Sequence, residues 1–213
     1  RIDHFRGFAQ YWRVPAGART AVEGEWVEGP GEPFFRALRK KFGRRMPIIA
    51  EDLGLITEEV IALRDRFGLP GMRIFCFAPW GREEGAAGED FTGHPYVPEN
   101  YVPGSVAYPG THDNDTFQGW LGGLEDGARG HLVRYLGCRD DDDEIRWAML
   151  EKLARSRAGL VIVQMQDILG LGSEAWLNLP GSCDGRNWTW RLRALPDPAL
   201  TARLAALTRA GGR

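Results

Sequence analysis

Short apolar runs alternate along this chain with segments whose apolar residues recur at helical spacing. Pro47 to Ala50, Met72 to Phe77, Ser105 to Tyr108 and Leu160 to Val163 are brief and rich in apolar and β-branched residues. Such runs fit strands buried on both faces, as in a parallel sheet. Between them, Glu32 to Phe42 places Phe34, Phe35, Leu38 and Phe42 on one helical stripe. Thr57 reads as an N-cap, with Glu58 and Glu59 in the first turn and Val60, Leu63 and Phe67 on one face; Gly68 then stops that helix. Asp140 to Ser156 predicts a longer helix. Its acidic opening run suits the positive end of the helix dipole better than a metal. Pro198 to Arg209 predicts a last helix. The alternation of strand and helix implies an α/β fold. The stretch from Pro79 to Gly104 is a long, Gly-rich, Pro-punctuated loop, a length that inside a compact domain often carries function.

Composition narrows the classes. With 213 residues, 43% hydrophobic and 26% charged, the chain is globular and long enough to bury a sizeable core. A net charge of −2, from 27 basic and 29 acidic residues, argues against a nucleic-acid surface. No apolar run approaches the roughly 20 residues of a membrane helix. Cys76, Cys138 and Cys183 are odd in number and far apart, as expected of reduced thiols in a cytoplasmic protein. His4, His94, His112 and His131 show no metal-ligand spacing. Nothing at the start reads as a signal peptide, and the opening Arg-Ile-Asp reads as strand interior. We therefore expect a fragment that lacks an N-terminal part.

Three predicted strands end in acids: Arg1-Ile2-Asp3-His4, Ile48-Ile49-Ala50-Glu51-Asp52, and the third run followed by Thr111-His112-Asp113-Asn114-Asp115. In a βα barrel the C-terminal strand ends build the active site, so acids placed there converge although distant in sequence. Arg1 and Asp3 lie two apart, hence on one face of a strand. A cation beside Asp3 favours an ionised carboxylate, suited to attack. A second carboxyl that keeps its proton is then needed as donor, and Glu51, delivered by an apolar strand, is the candidate. Two carboxyls whose acidities are pushed apart are the signature of glycoside chemistry. The same acids also suit a divalent cation. The basic neighbours Arg1, His4, Arg6 and His112 weigh against that alternative.

The words around these acids carry a family resemblance. Arg1-Ile-Asp-His-Phe-Arg-Gly-Phe8, Ala50-Glu-Asp-Leu-Gly54 and Gly110-Thr-His-Asp-Asn-Asp115 resemble three segments of the amylomaltases, the 4-α-glucanotransferases or disproportionating enzymes. Phe67-Gly-Leu-Pro-Gly-Met72, Tyr96-Val-Pro-Glu-Asn-Tyr101 and Leu171-Gly-Ser-Glu-Ala175 agree with them. So do Asn178 with Pro180-Gly181 and Asn187-Trp188-Thr-Trp190-Arg191. The resemblance covers nearly the whole chain, in family order. It implies the C-terminal part of an α-amylase-like (β/α)8 TIM barrel, from about the end of strand four onward. No separate second domain and no C-terminal β-sandwich are implied.

The resemblance further implies transfer of α-1,4-glucan segments by a retaining double displacement. Asp3 would be the nucleophile, Glu51 the acid/base and Asp113 the transition-state stabiliser. Arg1, His112, Phe77 and Asn178 would bind substrate. Maltooligosaccharides and α-glucans would be donors and acceptors. No metal, other cofactor, nucleic acid or membrane is implied. Phe77 alternatively reads as a core aromatic, and Trp188 and Trp190 as core packing rather than sugar platforms. Arg186 separates Gly185 from Asn187 where the family commonly has Gly next to Asn, and Pro79 to Thr92 does not align. A retaining α-glucan hydrolase and a fragment that only binds glucan remain the alternatives.

Overall fold

The computed structural model describes residues 1–80, 93–183 and 185–213. The part of the Pro79–Gly104 loop that spans 81–92 lies outside the described residues. The chain divides into two compact units, one of residues Arg1–Met72 with Gly104–Val106, the other of Arg73–Pro103 with Ala107–Arg213.

In the first unit, Ile2 and Ala50 form a parallel bridge. The two strands expected there contract to this bridge. A 3₁₀ turn, Phe5–Phe8, follows. Next come β1 (Gln10–Arg13) and β2 (Glu25–Glu28), an antiparallel hairpin in which Trp12 faces Trp26. Their rings meet edge-on at 5.3 Å. The hairpin packs close: a Cβ on Gly24 would come within 2.6 Å of the Trp12 ring. Helix α1 (Gly31–Phe42) and helix α2 (Glu58–Arg66) match the expected segments within one residue at their starts. The core is aromatic. Phe5, Phe35 and Phe67 are buried in succession, with ring centroids 5.3 and 5.4 Å apart, and Val60, Leu63 and Leu69 close it. Burying a side chain of this kind contributes about 1.5–3 kcal/mol. Gly68, at φ 63°, takes the left-handed conformation that ends α2.

Strands β3 (Gly71–Ile74), β4 (Ser105–Tyr108) and β5 (Leu160–Val161) form a three-stranded sheet in the order β3-β4-β5. β4 matches its expected bounds. β3 is shorter than the Met72–Phe77 run because Phe75–Phe77 turns into a 3₁₀ helix. There Phe75 stacks on Trp80 at 4.7 Å, and its carbonyl accepts the Trp80 indole N–H. In the second unit follow α3 (Phe117–Gly122), α4 (Asp126–Leu136), α5 (Asp142–Arg155), α6 (Met165–Leu169) and α7 (Pro198–Ala210). Their apolar faces enclose Phe75, Tyr101, Phe117, Leu132, Ile145, Met149 and Leu153. Asp141 caps α5 by accepting the Glu144 N–H, and Asp142, Asp143 and Glu144 fill its first turn, which accounts for the acidic run. No described helix is long and apolar enough to cross a membrane.

Candidate active site

Two hydrogen-bonded segments of the first unit carry two of the predicted acids. The Ile2 N–H donates to the Ile49 carbonyl, the Glu51 N–H to the Ile2 carbonyl and the Phe5 N–H to the Glu51 carbonyl. The pairing is parallel, so Asp3 and Glu51 emerge at the same end. Arg1 and Asp3 share a face as their spacing requires, with Arg1 Nη2 3.1 Å from Asp3 Oδ1. The Asp3 side chain is 74% exposed and open to a ligand.

His4 then adopts φ 46° and ψ 55°, a left-handed conformation that a non-glycine residue holds only at a cost. The turn aims the His4 N–H at Glu51 Oε2, 2.6 Å away. The Leu53 N–H reaches Glu51 Oε1 at 2.9 Å. Both Glu51 oxygens are thus fixed by backbone donors, one of them on the residue that follows Asp3. Arg6 ties the surroundings together: its guanidinium lies 4.4 Å from the Trp26 ring of the hairpin and donates to the Leu55 carbonyl.

Sequence reasoning left the neighbouring Asp52 without a role. It is buried, accepts the Met72 N–H at 2.6 Å through Oδ1, and is ion-paired through Oδ2 to Arg64 of α2. The one signal available in the chain was an Arg placed twelve residues on, in a helix.

The second unit carries the other predicted residues. The Thr111–Asp115 loop follows β4 and is folded on itself by Asn114, whose Oδ1 accepts from both the N–H and the hydroxyl of Thr111. Gln164 donates to the Gly110 and Thr111 carbonyls from outside. This leaves Asp113 about half exposed, with Oδ1 accepting Asn178 Nδ2 at 2.6 Å and lying 3.4 Å from His112 Nε2. The Asn178 N–H also donates to the His112 carbonyl. His112, Asp113 and Asn178 therefore form one cluster.

Trp188 joins that cluster, its ring 5.1 Å from His112. It is 54% exposed and takes φ 65°, which overturns the expectation that it packs in a core. The Trp188 N–H donates to the Leu177 carbonyl, so its backbone is held while its ring stays in solvent. Phe77 is 39% exposed and meets Tyr96 edge-on at 5.5 Å, which rules out a core aromatic. Asn187 keeps a defined place despite Arg186 before it: its Oδ1 accepts the Leu179 N–H, and its Nδ2 donates to the Ser182 carbonyl.

Asp115 and Asp167 support the loop from behind. Asp115 Oδ2 accepts the Ser173 hydroxyl. Asp167 Oδ1 accepts the Phe117 N–H at the start of α3. Burial raises the Asp167 carboxyl to about 6, against the opposing hydrogen bond from Phe117 and the charge of Arg146. No described cluster of three or more His, Cys, Asp or Glu is placed to hold a metal ion, and Cys76, Cys138 and Cys183 are free thiols.

The Glyco_hydro_77 model, described as 4-alpha-glucanotransferase, matches residues 1–197, and the chain belongs to that family. It is 45% identical to a 4-alpha-glucanotransferase of Synechocystis over all of this chain and 40% of that protein. Identity to the Thermus thermophilus 4-alpha-glucanotransferase is also 45%, over 99% of this chain and 41% of that protein. Among solved structures, an amylomaltase from Streptococcus agalactiae in complex with acarbose superimposes with a TM-score of 0.87. That match has 33% identity over all of this chain and 41% of that one. The chain spans about two fifths of the length of these relatives.

Proposed function

We propose that the protein carrying this chain moves α-1,4-glucan segments between maltooligosaccharides or starch- and glycogen-derived chains, with retention at the anomeric carbon. The observation that carries the reading is the delivery of Asp3 and Glu51 to the same end of two neighbouring parallel segments. Adjacent strands lie about 4.8 Å apart. A retaining pair needs carboxyls about 5–5.5 Å apart, whereas an inverting pair needs about 6.5–9.5 Å.

The Asp3 carboxylate attacks the anomeric carbon as its bond to the departing glucan oxygen breaks. Glu51 gives that oxygen its proton, and a glycosyl ester on Asp3 remains. The 4-hydroxyl of an incoming glucan then bonds to the same carbon and passes its proton to Glu51, and Asp3 leaves as a carboxylate. Asp113, oriented by Asn178 and beside His112, holds sugar hydroxyls and binds the distorted ring of the oxocarbenium-like state more tightly than the relaxed one. Arg1 binds beside Asp3, and exposed Phe77 meets the acceptor side. We read the chain as the second half of a (β/α)8 barrel, from about the end of strand four, in a cytoplasmic protein. The family match and the acarbose held by the solved relative support an α-glucan ligand.

The test uses Asp3→Ala, Glu51→Ala and Asp113→Ala in the protein that carries this chain, with maltotriose and a maltosyl fluoride as donors. Each variant loses nearly all transfer from maltotriose, the Glu51 loss being about 10²–10⁴-fold. Fluoride leaves with little need of a proton, so Glu51→Ala accumulates the covalent adduct seen by intact mass. Asp3→Ala forms none, and Asp113→Ala stays impaired with both donors. An adduct on Asp3→Ala but none on Glu51→Ala would reverse the two assignments. Simple shortening of maltotriose by the wild type, with no ladder of longer chains, would replace transfer with hydrolysis.

A further inference from the structure

We infer that Asp52, clamped by Arg64, is a positioning residue for the proton transfer assigned to Glu51, and the inference rests on that assignment. Glu51 and Asp52 are consecutive in an extended segment, so their side chains leave the backbone on opposite sides. Glu51 faces the end where Asp3 emerges. Asp52 faces inward, its side chain only 3% exposed. Three things fix it there. The Met72 N–H donates to Oδ1 at 2.6 Å. The Arg64 guanidinium, itself mostly covered, pairs with Oδ2 and is held in turn by Asp65. Gly71 leaves the room, because a Cβ at that position would overlap the Asp52 carboxylate.

A buried ion pair is a poor device for stability, since a well-packed apolar pair does as well. Its use is to fix register: the pair pins residue 52 to the start of β3 and to α2 at once. Glu51, one peptide earlier, inherits that position. It then needs only the His4 and Leu53 N–H groups to set its carboxylate. A displacement of about 1 Å in such a group costs about 100-fold in rate. The step most sensitive to it is protonation of a poor leaving group.

The experiment compares Asp52→Asn, Arg64→Lys and Gly71→Ala with wild type in the protein that carries this chain. Turnover of maltotriose is measured beside first-turnover labelling of Asp3 by maltosyl fluoride, and thermal melts report folding. Asp52→Asn is expected to lower kcat on maltotriose about 10- to 100-fold, with KM within about threefold and fluoride labelling within about threefold of wild type. Gly71→Ala, which displaces the same carboxylate without removing it, gives the same split, and Arg64→Lys gives a smaller one. Equal loss with both donors in a folded variant would reduce Asp52 to a structural role and overturn the inference. Unchanged maltotriose turnover would overturn it too. If Asp52→Asn fails to melt cooperatively, Gly71→Ala decides by the same criterion. A wild type that neither elongates maltotriose nor labels with the fluoride would instead refute the transferase reading, and this inference with it.

Discussion

Asp167 makes a quantitative test of the second unit. Its side chain is buried beneath α3, with Oδ1 accepting the Phe117 N–H at 2.7 Å and Oδ2 enclosed without a hydrogen-bond partner among the described residues. Burial raises its pKa from an ordinary 3.8 to about 6, outweighing the hydrogen bond and Arg146, with Asp115 adding to the rise. That gap is worth about 3 kcal/mol at about 1.4 kcal/mol per pKa unit. The sign follows from proton binding: between pH 3.8 and about 6 the folded chain binds more protons than the unfolded one, so stability falls as pH rises. The stabilisation is complete below pH 3.8 and gone above about 6. Asp167→Asn keeps an acceptor for Phe117 and cannot ionise. Urea unfolding of wild type and variant from pH 4 to 7.5 should show the wild type losing about 2.5 kcal/mol relative to Asp167→Asn, most of it before pH 6. A pH-independent difference would mean that burial does not govern this carboxyl. A wild-type advantage that grows with pH would mean that Arg146 and the helix start hold it ionised.

Other substitutions probe the candidate site. His4→Val puts a β-branched residue at φ 46° and should lower stability by about 1–2 kcal/mol and reduce transfer, whereas His4→Gly relieves the strain and keeps the N–H that Glu51 uses. Thermal melts and maltotriose assays separate the two, and equal behaviour would show that the left-handed turn is not retained. Trp188→Ala removes an exposed ring beside His112 and should raise KM for longer glucans severalfold with little change in melting temperature. An unchanged KM would leave the ring without a part in binding.

How far the sequence reached depends on where each side chain finds its partners. α1 and α2 were legible because Phe35 with Leu38, and Val60 with Leu63, turn toward a core at helical spacing, although Phe34 and Phe42 of the expected stripe stay exposed; β4 was legible because its short run is buried on both faces. The β1–β2 hairpin was not: Gln10–Arg13 and Glu25–Glu28 carry no alternating apolar face, and their Trp pair is satisfied across the hairpin rather than by a core. The truncation of β3 depends on Trp80 stacking on Phe75 from five residues away, which local propensity does not register. In the site, Arg1 beside Asp3 followed from strand periodicity alone. Asn178 was picked out by family resemblance alone, and the hydrogen bond that joins it to Asp113, 65 positions away, was not legible in the sequence. Asp52 escaped because an Asp after a Glu at a strand end looks solvated until Arg64, Gly71 and Met72 surround it.

The hairpin also bears on how such a protein diversifies. Its two strands are locked in register by Trp12 and Trp26, and its base is anchored through Arg6, which reaches the segment after Glu51. The connection between the strands, residues 14–24, includes the largely exposed Val22. Lengthening a flexible connection is cheap, about 0.6 kcal/mol for each doubling. Insertions among residues 14–20, ahead of the Ala21 carbonyl that the Trp12 indole N–H holds, are therefore expected to leave Asp3 and Glu51 undisturbed.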